Sequence, residues 1–333
     1  MNSVQKKNKN KNKYKHNNLI NLLTWITILV SASEILPPIK SSINQEKLVN
    51  LGLSRSHSIK VINNETYIDP LIKQDVLNTI NYMHETFPNV DFNNNIGSFF
   101  IVDEINIDNA AGANIPDFNL SLVEHQYLDD EMKRKIVVTH ETIHQLLYHG
   151  KNGRYHGFYD TVTKEGKYFS EAFVDYLTMK ALNISISDAH FYGLGYKGRE
   201  HILILEKFIN LESLVKLSSE ETTQDLESLL EQYFKDVNVL ELYDEIYTTD
   251  YNGNQSLNRE DNNDNQTLDS LTYAFIDAYF EKLKEDNIKD PQDDPDYNKV
   301  KYYLKAMSSE SELGSYFIEK EQEYVSKKVK QKG

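Results

Sequence analysis

The chain has 333 residues, enough for one large domain or two lobes, and its 39% hydrophobic and 26% charged residues are those of a globular protein, not a disordered one. It contains no cysteine, which excludes disulfides and thiolate metal sites and leaves His, Asp and Glu to hold any metal. The formal charge is −15; the first 33 residues hold six lysines and no acid, so the remainder carries −21, and a body that acidic repels phosphates and excludes nucleic acid as a partner.

The lysines at 6–15 precede a mostly apolar stretch, LINLLTWITILVSA, at 19–32. A membrane-spanning helix needs about 20 such residues. The basic flank, the short apolar core and the run Val30-Ser31-Ala32-Ser33 instead predict a secretory signal peptide over 1–33, cut after Ala32 or Ser33. An uncleaved signal anchor is the alternative. Either places the body outside the cytoplasm, secreted or held to a membrane through this segment alone. A cysteine-free exported chain points to a Gram-positive bacterium.

Residues 34–56, with Pro37-Pro38 and several serines, read as a linker. HSIKVINNETYIDP alternates around Asn63-Asn64 and predicts a β-hairpin. Leu71, Ile72, Val76, Leu77, Ile80 and Met83 have helical spacing, closed by Pro88. GSFFIVDEI reads as a buried strand, and the alternation in DFNLSLVEH as another, at an edge. Asp129 and Asp130 offer an N-cap for a helix reaching about Tyr148, with Gly150 as its stop. Further helices are expected over YFSEAFVDYLTMKAL and over 198–217. A helical remainder is broken by an Asn/Asp-rich loop at 252–266 and the turn-rich EDNIKDPQDDPDYN, and ends in a last helix. The expected class is α+β: a small mixed sheet with helices in an upper lobe (57–183) and an all-helical lower lobe (184–333).

The chemistry lies in VVTHETIHQLLYHG. His140 and His144 sit about 40° apart on one helical face and can reach one ion, while Glu141 projects about 100° away, where a general base for a metal-activated water belongs. This is the HExxH zinc signature, on a strongly apolar helix. A catalytic zinc needs a third protein ligand and one open position. His149, nine residues past His140, faces about 180° away. The extended HExxHxxGxxH pattern also fails, since Leu147 and Gly150 stand where glycine and histidine belong. Glu171 in SEAFVDYL is the better ligand. Asp175, one helical turn on, is suited to accept from a ligand histidine, His140 first, and so fix its ring.

His140-Glu141-Thr142-Ile143-His144 followed by Glu171-Ala172-Phe173-Val174-Asp175 resembles the gluzincins, the thermolysin-like clan of zinc metallopeptidases. The resemblance covers roughly 97–182. It departs in spacing, with 26 residues between His144 and Glu171, which the loop GKNGRYHGFYDTVTKEG would absorb. YFSEAF is also similar to the glutamate helix of lethal factor-like peptidases, although Lys164 stands where that family has a tyrosine. The resemblance implies a zincin-like fold, one zinc ion, a peptide or protein substrate and endopeptidase activity. It also implies a Tyr or His donor for the oxyanion: Tyr196 first, with His201, Tyr155, His156 and Tyr159 as the others. NAAGANIPDFNLSL would be the edge strand carrying the substrate backbone, with the small residues Ala111, Gly112 and Ala113 allowing close approach. Calcium in the acidic loops is a further expectation. The alternatives are a lethal factor-like peptidase of narrow specificity and a non-catalytic zinc-binding surface protein with a peptidase fold. The intact Glu141 argues against the last.

Overall fold

The computed structural model of the chain describes residues 44–106, 110–150, 154–185, 199–234, 237–250, 262–301 and 311–330. The expected signal segment lies outside them. The chain divides into two compact units, 1–66 with 104–108 and 67–103 with 109–333. The lobe boundary expected at 183/184 falls inside the second unit, which holds the whole candidate site. Among the described residues no helix is long and apolar enough to cross a membrane.

In the first unit, helix α1 covers 44–50, inside the stretch expected to be linker. Helix α2 (Arg55–Ile62) replaces the first arm of the expected hairpin. Ser54 caps it, accepting from His57 N at 3.2 Å, and Ser58 and Val61 form its buried face. Short-range alternation in this segment was outweighed by a capped helix with buried residues three apart.

The second unit begins with helix α3 (Lys73–Thr86) and a three-stranded sheet. Strand β1 (Ser98–Val102) pairs in parallel with β3 (Leu120–Glu124), and β3 pairs antiparallel with β2 (Gly112–Ile115). The sheet order β1-β3-β2 makes β3 the central strand, not the expected edge, and all five of its residues are buried. The polar positions that suggested a wet face are satisfied internally: Ser121 Oγ accepts from Asn114 Nδ2 (3.1 Å) and Gln145 Nε2 (2.9 Å). The edges fall to β2 and, apart from one bridge between Ile68 and Phe99, to β1.

Helix α4 (Glu131–Leu146) carries the HETIH motif. Asp130 caps it, accepting from Met132 N at 2.9 Å and Lys133 N at 3.1 Å. Val137 and Val138 pack with Ile72, Val76, Phe99 and Val123 of α3 and the sheet. Ile136, Ile143 and Leu146 belong instead to the helical core with Phe169, Phe173 and Leu177 of helix α5 (Lys167–Leu182). Two cores thus clamp one helix from opposite sides, each buried aliphatic contributing about 1.5–3 kcal/mol. Gln145 Oε1 accepts from Gly97 N at 2.7 Å and ties the last turn of α4 to the sheet.

The helix expected over 198–217 is two, α6 (Arg199–Leu205) and α7 (Leu211–Glu220), because Asn210 caps a new start by accepting from Ser213 N at 2.8 Å. Helices α8 (Thr223–Leu230), α9 (Val239–Asp250), α10 (Asn262–Glu285) and α11 (Ser311–Lys330) follow, with a 3-10 turn (Pro291–Asp293) and a helical run at 297–301 between the last two. Residues 262–266 of the expected Asn/Asp-rich loop are helical; 252–261 lie outside the described residues.

Because Asp130 satisfies two otherwise unbonded N–H groups of α4, Asp130→Ala should cost about 1 kcal/mol and lower Tm by about 2–4 °C in a thermal melt. An unchanged Tm would show that the cap adds nothing to this helix.

Candidate metal centre

Helices α4 and α5 meet at their polar residues. His140 and His144, one turn apart, have ring centroids 4.7 Å apart at 67°. Glu171 comes from the second turn of α5, whose start is fixed from outside the helix. Gly166 takes φ +73° there, and a Cβ on it would stand 2.4 Å from Phe158 O, so only glycine fits. Asp244 of α9 accepts from Gly166 N (3.0 Å) and Tyr168 N (3.4 Å), capping α5 across the core.

Glu171 Oε2 lies 3.3 Å from His140 Nε2 and 3.2 Å from His144 Nε2, and the two Nε2 atoms are 3.0 Å apart. One ligand atom from each residue thus lies within 4.8 Å of the others, a group that could hold a metal ion. The other ring nitrogen of His140, Nδ1, is 2.9 Å from Asp175 Oδ1. That contact places the proton on Nδ1 and leaves Nε2 as the lone-pair donor a metal requires. The donor set is two imidazoles and a carboxylate, without sulfur.

Burial dominates the electrostatics. It would lower His140, but hydrogen bonds to Asp175 and Glu171 overcome it and raise His140 well above the ordinary histidine value. It would raise Glu171, but His144 and His140 hold it well below the carboxylate range. Glu141, 5% exposed, is pushed up to about 7 by burial against the pull of His140 and His144. Its Oε2 has no hydrogen-bond partner, an uncompensated acceptor beside the triad. Protons shared among close imidazoles and carboxylates are the charge a divalent cation replaces.

The chain between His144 and Glu171 is not a simple loop. Strands β4 (Tyr148–His149), β5 (Tyr155–His156) and β6 (Tyr159–Asp160) form a small antiparallel sheet. Ser170 Oγ donates to His156 O at 2.8 Å, and Phe158 packs on Phe169 and Phe173 of α5. His156 is buried, with its ring edge-on to Tyr148 and Tyr159. Burial, with His144 next in effect, pushes it down to about 3, so it stays neutral.

Four of the expected site residues meet at one point: His140, His144, Glu171 and Asp175, with Glu141 adjacent on α4. His149 is directed elsewhere, but not by a helical angle: it lies past the end of α4, in strand β4, with its ring nitrogens 3.0 Å from Leu147 O and 2.5 Å from Glu221 O. Tyr196 lies outside the described residues. His201 is fully buried, its ring centroid 4.6 Å from Phe275 and 5.8 Å from Tyr243, so it belongs to the helical core and not to an open cleft. Apolar neighbours that only the tertiary fold supplies explain that difference.

Of the expected substrate-facing residues, Ala111 uses its carbonyl within the sheet, accepting from Glu124 N at 3.1 Å. The antiparallel alternation then directs Ala113 inward as well, and turns the N–H and C=O of Gly112 and Asn114 to the outer edge. Among the described residues no strand pairs with that edge. Asn114 is therefore a site candidate that sequence reasoning passed over; the period-2 alternation from Gly112 was the available signal for it. For calcium, no second group of metal-ligating side chains occurs among the described residues.

Asp175→Asn should weaken divalent-metal binding about tenfold or more, measured by competition with a chromophoric chelator, because the ring of His140 loses its charged acceptor. Wild-type affinity in that variant would mean that His140 is not the ligand that Asp175 orients. Comparison with protein-family models, with curated proteins and with solved structures finds no match to this chain.

Proposed function

We propose that the chain is an exported zinc-dependent endopeptidase of gluzincin type, with His140, His144 and Glu171 as ligands and Glu141 as the general base. The observation that carries this reading is the convergence of three ligand atoms within 4.8 Å, from two helices, beside a buried carboxylate with an unpartnered oxygen. A surface helix that spelled HExxH by accident would not supply the third ligand and its orienting acid from a second helix.

Zinc bound there supplies Lewis acidity, which lowers the pKa of a water and polarises a carbonyl. Glu141 takes the proton of the attacking water and delivers it to the leaving amine as the C–N bond breaks. Its burial serves this work, since a base poised near neutrality both accepts and returns a proton readily. Asp175 holds the His140 ring throughout. The peptide runs extended along β2, exchanging main-chain hydrogen bonds with Gly112 and Asn114. Each of those two residues offers an outward N–H and C=O, so recognition of the backbone is independent of side-chain identity.

Glu141→Gln should retain one zinc per chain and lose at least about a hundredfold in kcat on a peptide library, with a chelator abolishing the wild-type rate. Hydrolysis by Glu141→Gln at the wild-type rate, or a wild-type rate indifferent to chelator, would remove the proposal.

A further inference from the structure

Gly112 sits where the open edge of the sheet meets the proposed base. A Cβ on this residue would stand 2.6 Å from Glu141 Oε1, 2.8 Å from Glu141 Cγ and 2.8 Å from Val137 Cγ1. Carbon does not approach oxygen or carbon that closely, so any side chain here forces a shift. The movable partner is the end of the Glu141 side chain, because Val137 is held in the core between α3, the sheet and α4. Backbone torsion does not explain the glycine: Gly112 is absent from the positive-φ residues, so its conformation is open to any L-amino acid. What requires glycine is the contact. Glu141 itself is 5% exposed with Oε2 unpartnered, so a displaced carboxylate has little room to settle elsewhere.

We propose that Gly112 is a positioning residue for Glu141: its missing side chain is the space the carboxylate occupies, and it sets which peptide bond is cut. This rests on the peptidase reading. The same residue turns its N–H and C=O to the free edge while its Cα packs on the base. A substrate main chain paired with Gly112 is thereby brought to Glu141, and the bond lying against Gly112 is the one hydrolysed. Pairing at Asn114, two residues along, then selects extended peptides that continue past the cleavage point by at least two residues on that side.

The test is Gly112→Ala in two backgrounds. In the wild-type background kcat should fall about a hundredfold, the scale of a misplacement near 1 Å, with KM and zinc affinity changed less than about threefold. Stability gives a readout independent of turnover. Alanine should lower Tm more when Glu141 is present than in the Glu141→Ala background, where only the contact with Val137 Cγ1 remains. A wild-type kcat, or an equal drop in Tm in both backgrounds, overturns the proposal. If zinc-loaded wild-type protein cleaves no peptide while the Tm coupling is present, the contact stands and the peptidase reading alone fails.

Discussion

The arrangement depends on the hydrogen bond between His140 Nδ1 and Asp175 at 2.9 Å. It joins α4 to α5 at a polar centre, beside the contacts of Glu171 with His140 and His144, and it fixes their register. A carboxylate that is 2% exposed is stable in an interior only when a charged or strongly polarised donor meets it. Once that pair is made, Glu171, one turn before Asp175, faces the Nε2 atoms of His140 and His144 without further adjustment. A slip of either helix by one residue would rotate its polar groups by about 100° into the hydrophobic core. The apolar packing on both flanks therefore enforces the polar geometry at the centre.

The surrounding elements each remove one degree of freedom from this contact. Asp130 and Gln145 fix the two ends of α4, one through its cap and the other through the sheet. Gly166 and Asp244 fix the start of α5. The small β4–β6 sheet is itself pinned to α5 through Ser170 and Phe158. A side chain that moves protons must be held to within a fraction of an ångström, and such accuracy comes from supporting contacts of this kind.

The centre was legible in the sequence because its signal is periodic. His140 with His144, and Glu171 with Asp175, are i, i+4 pairs on helices whose apolar spacing is strong, so their faces follow from the 3.6-residue repeat. Helices α3, α4 and α5 and strand β1 were legible for the same reason. What covers a face is not periodic information. Strand β3 alternates like an edge strand, yet it lies between two others because Ser121 finds buried partners in Asn114 and Gln145. His201 resembles any surface histidine until Phe275 and Tyr243 are folded against it. Helix α2 was hidden by a chance alternation over a segment too short to show its own period, and the break before α7 by a single cap at Asn210. The requirement for glycine at 112 was visible only as compositional smallness; its physical cause, the Glu141 and Val137 side chains, comes from another element.

X-ray absorption at the zinc edge of the zinc-loaded protein tests the central claim most directly. The account predicts a four-coordinate ion with two imidazole nitrogens at about 2.0–2.1 Å and two oxygens at about 2.0–2.2 Å, one from Glu171 and one exchangeable. An oxygen-only shell, a single imidazole, or a closed site with four protein ligands would contradict it.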